Sequence, residues 1–412
     1  MTAAHSHYDV VIIGAGMVGA ALACALTHSG APPLRLLLVE ASKVQTGTAQ
    51  QPGFDARSTV LSAGSVDYLK LLGLWPAMAM HAAAIEHIHV SDQGHFGGVR
   101  MQSREAGVAA LGQVVENIAV GRALNQALLQ NPQLELLSPV QVTALAPHTA
   151  GMQLTLQDGS NTSTVTAALV VLAEGGRSGL AQQLGIHMHE RRYGQRAIIA
   201  NVALSQPHGG IAYERFTPKG PLALLPLTPH SGHHRMALVW THPEEAADAV
   251  LALPDADFLR QLQQDCGQRA GNLLHVGQRA SYPLTLQVAE EQQRPSLVLL
   301  GNVAHTLHPV AGQGFNLALR DAIALAANVR QSLRDGVPVG SSKRLQQWWS
   351  DVQRDQQRTI TFSDGMTRLF SSPNVALSLL RKGGMAGLEL LPPLKQLFMQ
   401  QALGFEGPAV RL

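Results

Sequence analysis

The stretch "YDVVIIGAGMVGAALACALTHSG", residues 8–30, decides the fold. Val10 to Ile13 form an unbroken apolar run, the pattern of a strand covered on both faces in a parallel sheet. Gly14, Gly16 and Gly19 then set a G-x-G-x-x-G spacing at the mouth of an apolar helix. The first glycine permits a tight turn, the second lets backbone approach a pyrophosphate, and the third lets the helix lie close on the strand. The phosphates would rest on free N–H groups at the helix start. A second strand, "LRLLLVE", ends at Glu40, an acid placed to accept hydrogen bonds from a ribose hydroxyl. Its charge would repel a 2′-phosphate, so NAD or FAD remain and NADP is disfavoured. The reading is an α/β, Rossmann-like dinucleotide domain.

A second glycine segment lies near the far end of the chain: "GNVAHTLHPVAGQGFNLALRD", residues 301–321. It follows the apolar run "PSLVLL" and turns into a helix whose Phe315, Leu319, Ala322 and Ala326 share one stripe. A plain NAD dehydrogenase needs only one such loop. An extended FAD would use both, its near half on the first and its far half on the second. The helix start from Gly314 to Asn316 would face the ligand with bare N–H groups and a positive dipole end. Gly301 and Asn302 are placed for the ribityl and phosphate part. Pro309, Gly312 and Gly314 would let backbone lie against a flat ring.

The chain has 412 residues, 46% apolar and 14% charged, with a formal net charge of +2. The length suggests two or three lobes, and the charge gives no field that would draw nucleic acid. Cys24 and Cys266 stand in no metal or redox spacing, which fits a reducing compartment. The N-terminus lacks a basic-then-apolar leader pattern, and no apolar run is long enough for a membrane span. A soluble cytoplasmic protein is expected. The cofactor lobe is discontinuous, at 1–75, 100–180 and 285–345. Residues 181–284, with 76–99, carry loosely alternating runs and read as a mostly antiparallel sheet roofing the flavin and forming a substrate domain. "DADFLRQLQQDCG" reads as a helix packed on that sheet. Residues 346–412 read as helical, with breaks at Pro373, Gly383–Gly384 and Pro392–Pro393. The apolar stretch 374–405 is either a core or subunit-contact helix pair or a patch that leans on a membrane or partner. The oligomeric state stays open, with a homodimer compatible.

Eighteen histidines raise the question of a metal. The pairs His5/His7, His87/His89 and His187/His189 put two imidazoles on one strand face, but no third ligand stands out, so no metal is expected. His305 and His308 flank the second loop, as proton-relay groups or as loop residues.

The segments "GAGMVG", "FDARSTVLSAGSVDYLKLLGLW", "VVLAEGGRS" and "GNVAHTLHPVAGQGFNLALRD" resemble those of the group A flavoprotein aromatic hydroxylases. "HVSDQGHFG", "ALGQVVEN" and "AYERFTPKGPLALLPL" narrow the likeness to the ubiquinone-biosynthesis branch. The resemblance covers nearly the whole chain. It implies a glutathione-reductase or p-hydroxybenzoate-hydroxylase type of fold, with C-terminal helices. It implies an FAD-dependent monooxygenase that uses O2 and a transient NAD(P)H reductant. The implied reaction, through a flavin C4a-hydroperoxide, is ring hydroxylation of a polyprenylated phenol, a 2-polyprenyl-6-methoxyphenol attacked para to the phenol. A sibling acting at another ring position, or a flavin-binding structural subunit with little turnover, are the competing readings.

By the same resemblance Gly14, Gly16, Gly19 and Glu40 bind the ADP half and Arg57 lies along the FAD, with an Asp55 ion pair as its plain alternative. Pro309, Gly312, Gly314, Phe315 and Asn316 flank the isoalloxazine ring. Pro309, Gly314 and Asn316 would position the flavin for catalysis, with His308 as a further candidate. Glu174 and Gly175 stand where the family has Asp-Gly, and Asn302, after Gly301, stands where it has a second aspartate. Glu116 and Asn117 match loosely a segment on the flavin side. The substrate pocket is expected to be apolar, lined from Leu222 to Leu227 and near Pro309 and Val310. Other ubiquinone-biosynthesis enzymes, and peripheral contact with the inner membrane, are implied as partners.

Overall fold

The computed structural model describes residues 3, 5–45, 57–94, 98–308, 312–371 and 395–396. In chain order, β1 (His7–Ile13) turns into α1 (Met17–Leu26) and returns as β2 (Leu36–Val39). β3 (Ser58–Ser62) leads into α2 (Ala63–Leu71) and the short α3 (Trp75–Ala79). β4 (Ala82–Ile85), β5 (His87–Asp92), β6 (Gly98–Gln102) and β7 (Gly112–Glu116) follow. α4 (Asn117–Leu129) and β8 (Leu134–Leu137) precede a meander of β9 (Gln141–His148), β10 (Gly151–Asp158) and β11 (Asn161–Leu172). After α5 (Leu180–Gln183) come β12 (Met188–Leu204), β13 (Ile211–Thr217), β14 (Gly220–His230) and β15 (His233–Pro243). α6 (Glu244–Leu251) and α7 (Asp255–Cys266) separate these from β16 (Leu273–Val276), β17 (Ala280–Ala289), β18 (Gln293–Arg294) and β19 (Leu297–Leu299). β20 (His305–Thr306), α8 (Gln313–Arg334) and α9 (Ser342–Ser371) complete the order.

The first sheet runs β18-β19-β11-β1-β2-β8, with β10 and β9 appended through β11. β1 pairs in parallel with β11 and β2, and β2 with β8. Its strands are apolar on both faces because both are covered. Val10 and Ile12 pack with α1, α4 and α8, while Val11 and Ile13 pack with the meander and Leu180 of α5. The strand–turn–helix read from residues 8–30 is present, as is the strand–turn–helix around the second loop.

The second sheet runs β20-β17-β12-β15-β14-β13-β5-β6, with β16 on β12. It is antiparallel apart from the β13–β5 pair. Its period-2 pattern splits it cleanly. Leu222, Leu224, Leu238 and Trp240 face outward under α6 and α7, where Trp240 meets Phe258 edge-on at 5.4 Å. The other face turns inward over a cavity. Two expected boundaries fall inside strands: residue 100 lies in β6 and residue 285 in β17, and both strands hydrogen-bond into this sheet. A small third sheet, β3-β7-β4, lies beyond what the sequence pattern suggested.

α9 is clamped on α8. The Arg320 guanidinium donates to both oxygens of Asp355 at 2.7 and 3.2 Å, and Trp348 Nε1 donates to the Asp321 carbonyl at 3.2 Å. The breaks expected at Pro373, Gly383–Gly384 and Pro392–Pro393 lie outside the described residues, as does the apolar stretch around them apart from residues 395–396. Among the described residues no helix is long and apolar enough to cross a membrane.

Candidate active site

The three N-terminal glycines carry three different constraints. Gly14 sits at φ +102°, and a Cβ there would lie 2.6 Å from the Glu174 Cα. A Cβ on Gly19 would lie 2.0 Å from the Gly14 carbonyl oxygen. Around Gly16 no atom lies within 4 Å of a Cβ position, so this glycine opens on empty space at the start of α1. Glu40 is fixed to this turn: its Oε2 accepts from the Ala15 N–H at 2.7 Å and its Oε1 from the Ser42 N–H at 2.8 Å.

Glu174 lies two residues past the end of β11, at the same place. Its Oε2 accepts from the N–H groups of Arg177 and Ser178 at 2.6 and 3.1 Å, closing a turn through Gly175 at φ +79°. Its Oε1 is buried with no protein partner. A buried carboxylate oxygen left unpaired is costly, and it is satisfied when a hydroxyl-bearing ligand reaches it.

At the second loop Gly301 has φ +68°, and Gly312, at φ +60°, is the residue before α8. Around Gly314 no atom lies within 4 Å of a Cβ position. Asn316 is buried, and its amide is spent on protein: Oδ1 accepts from the Ser62 N–H at 2.9 Å, and Nδ2 donates to the Val60 and Gly312 carbonyls, each at 2.8 Å. Asn316 thus ties β3 to the start of α8 and positions that helix rather than offering its own amide to a ligand. Asn316→Ala is expected to lower stability by about 1–3 kcal/mol, because the Ser62 N–H loses its partner. Thermal unfolding and flavin retention on dilution measure it.

Both loops border one cavity of about 990 Å³. Gly14, Gly16, Glu40, Glu174 and Gly175 line it from the first side, and Arg57 from β3's start. Gly301, Asn302, His308, Gly312, Gly314, Phe315 and Asn316 line it from the second. Gly19 stands behind the first loop, and Pro309 lies outside the described residues. Val310 does too, and so does Asp55, the plain partner considered for Arg57. The Arg57 guanidinium sits 4.9 Å over the Tyr282 ring, joining β3's start to β17.

The histidines separate. His305 is buried against Asp321, with Nε2 2.9 Å from Oδ2, and does not border the cavity. His308 does, with its ring edge-on to Tyr193 at 5.3 Å. Burial pushes the His308 imidazole down to about 4, so it is neutral at pH 7 and has no proton to give as a cation. Among the described residues no group of three or more His, Cys, Asp or Glu is gathered for a metal ion. Glu116 spends both oxygens on Arg235, at 3.2 and 3.0 Å, and accepts from Asn201, which pins β7 to the second sheet. Asn117 borders the cavity, where its Oδ1 accepts from Thr59 at 2.6 Å.

From the loops the cavity continues beneath the second sheet. Of the segment 222–227, Ala223 and Leu225 line it, while Leu222 and Leu224 point to the opposite face. Ile88, Val90, Val99 and Met101, from β5 and β6, extend the apolar wall. One residue here carries charge and lay outside the sequence-based candidates: Glu214 of β13. Its signal was available, since Ala212, Glu214 and Phe216 occupy alternate positions of one strand and the outer two are apolar.

The chain matches the sequence model of the FAD binding domain family over residues 7–354. It is 35% identical to the ubiquinone hydroxylase UbiL of Rhodospirillum rubrum over 396 residues, covering 96% of this chain and 89% of that protein. It is 30% identical to the mitochondrial ubiquinone biosynthesis monooxygenase COQ6 of Rattus norvegicus, covering 96% and 90%. Its fold is similar to the crystal structure of p-nitrophenol 4-monooxygenase PnpA from Pseudomonas putida, with TM-score 0.78, 15% identity, and 98% and 100% coverage. A glycine at each point where backbone must approach a ligand, an unpaired carboxylate oxygen between them and these matches agree: the chain belongs to the FAD-binding monooxygenases, in the branch that holds the ubiquinone hydroxylases.

Proposed function

We propose that this chain hydroxylates the aromatic ring of a polyprenylated phenol in ubiquinone biosynthesis, with 2-polyprenyl-6-methoxyphenol as substrate and the carbon para to the phenol as target. The observation that carries the reading is one cavity with two characters: glycine loops at one end and an apolar sheet face at the other. FAD supplies the redox chemistry, taking two electrons from NAD(P)H and activating O2.

The residues fit that cofactor. Gly14, Gly16 and the start of α1 would take the pyrophosphate, and Glu40 the adenosine ribose. Glu174, through its unpaired Oε1, and Gly175 would meet the ribityl side together with Gly301 and Asn302. Arg57 would lie along the cofactor. Gly312, Gly314 and Phe315, at the start of α8, would border the ring, and the dipole of that helix stabilises negative charge there on reduction. The first sheet with its helices forms the cofactor lobe, and the second sheet the substrate lobe. Wall residues such as Val90, Met101 and Leu225 keep the reacting ring dry and accept a prenyl tail, each buried CH₂ contributing about 0.8 kcal/mol.

The test is turnover. Purified protein should carry flavin, and a 2-prenyl-6-methoxyphenol should accelerate NAD(P)H oxidation and gain one oxygen atom by mass spectrometry. NMR of the product gives the ring position. A product oxygenated elsewhere would assign a sibling activity, and nicotinamide oxidation indifferent to every prenylated phenol would overturn the reading.

A further inference from the structure

Three carboxylates line the cavity, and two are spoken for: Glu40 and Glu174 both accept from backbone N–H groups of the cofactor turns. Glu214 stands apart. It lies at the middle of β13, in register with Val90 of β5 and Ala223 of β14, both of which line the cavity. The flanking positions on its strand, Ala212 and Phe216, are buried and line the same chamber. Among the described residues the Glu214 carboxyl makes no ion pair and no hydrogen bond. Glu214 is half-buried and borders the apolar chamber, and a carboxyl held there unpaired carries a cost that a hydrogen-bond donor on a ligand removes. The donor class is restricted by the walls. It is a largely apolar molecule carrying a hydrogen-bond donor, since the described residues lining the chamber beside Glu214 on β5, β6 and β14 are apolar.

We infer that the Glu214 carboxylate accepts the phenolic hydroxyl of the substrate and receives its proton during ring oxygenation. The inference rests on the hydroxylase reading above and adds the catalytic base to it. As the ring carbon takes one oxygen atom of O2, the phenolic O–H bond breaks. Its electron pair moves into the ring, and the proton goes to Glu214. The resulting dienone loses the hydrogen of the oxygenated carbon as a proton, and the Glu214 carboxyl returns its own proton to the oxygen, which restores the aromatic ring. The second oxygen atom leaves as water with the two electrons of NAD(P)H. The sum is phenol, O2, NAD(P)H and one proton in, hydroquinone, NAD(P)+ and water out.

The chemistry of the carboxyl suits the task. Burial pushes its proton affinity up to about 7, closer to a phenol than an ordinary carboxylate is, which makes it a better base for that proton. Burial is the one cause of the shift. The groups around it leave it alone: His87 and His89 of β5, and Tyr213 and Arg215 of β13, lie on strand positions of opposite phase. Asp92 is two residues beyond Val90 on β5, opposite Phe216, and His230 is at the far end of β14. Arg57, Tyr282 and His308 border other parts of the cavity.

The experiment compares flavin-loaded wild type with Glu214→Gln and Glu214→Asp, using a short-tailed 2-prenyl-6-methoxyphenol. Glu214→Gln should keep its flavin. Its kcat for hydroxylation should fall about 100-fold or more, with a KM change of only a few-fold. The acid limb near pH 7 in the wild-type kcat profile should vanish in Glu214→Gln. Glu214→Asp should recover part of the rate and keep an acid limb. The difference spectrum of the bound phenol in the oxidised enzyme should change between wild type and Glu214→Gln. Wild-type rate and an unchanged pH profile in Glu214→Gln would overturn the inference, and so would a loss confined to KM. A wild-type enzyme that hydroxylates no prenylated phenol would instead overturn the proposed function.

Discussion

Gly19→Ala should leave the protein without flavin and measurably less stable, whereas Gly16→Ala should leave stability intact and still weaken flavin binding. The two glycines are three residues apart in one turn, and the contrast separates scaffold from ligand site. A Cβ at position 19 would come 2.0 Å from the Gly14 carbonyl oxygen and 3.3 Å from the Ala173 Cβ. The nearest obstacle is backbone, which cannot swing aside as a flexible side chain would. α1 must move off β1, opening the contact of Ala20 and Ala23 with the helical core. Overpacking of this kind costs about 1–3 kcal/mol or more. At position 16 the methyl group meets nothing within 4 Å, and the backbone φ of −66° suits alanine. Among the described residues it obstructs nothing, and what it meets is a ligand in the cavity that Gly16 lines. Thermal unfolding of the flavin-free proteins, and flavin affinity by fluorescence quenching, read the two effects separately. If Gly16→Ala binds flavin as tightly as wild type, backbone approach at this turn is not how the cofactor is held.

That turn was legible in the sequence because its information is local. The spacing of Gly14, Gly16 and Gly19, an apolar run before it and Glu40 after it all lie within one β-α-β unit. The start of α8 was legible for the same reason. What Asn316 does was not, because its partners Val60, Gly312 and the Ser62 N–H are brought to it by the pairing of distant segments. The run from Leu222 to Leu227 reads as apolar on both faces. Nothing in it says that Ala223 and Leu225 would face the cavity while Leu222 and Leu224 pack under α7. Glu116 looked like a flavin-side acid, and its neutralisation by Arg235 is a contact across 119 positions. Glu214 was obscured by its own charge: in an alternating strand a glutamate is normally a solvent-facing position, and only the sheet's inward face turns it into an enclosed one.

Glu214→Gln should therefore stabilise the protein at pH 8 and do almost nothing at pH 4. The enclosed carboxyl binds its proton up to about 7, against an ordinary value of 4.5. Between those values the folded state holds a proton that the unfolded chain has released, so stability falls as pH rises through this window. Below it, glutamic acid and glutamine are both neutral and nearly isosteric, and the two proteins should unfold together. Above it, the wild type carries the full penalty of an enclosed charge, and glutamine carries none. A shift of that size corresponds to about 3 kcal/mol as a ceiling, reduced wherever cavity water reaches the carboxylate. The sign is the informative part, because removing a carboxylate that made a structural ion pair would lower stability at pH 8. Thermal unfolding at pH 4, 5, 6, 7 and 8 on matched flavin-loaded samples tests it. A difference that is constant with pH would mean that the carboxyl is hydrated like any surface glutamate. A bound phenol should shrink the gain at pH 8 in the wild type's favour, since its hydroxyl gives the charge the hydrogen bond that the apolar walls of β5 and β14 withhold.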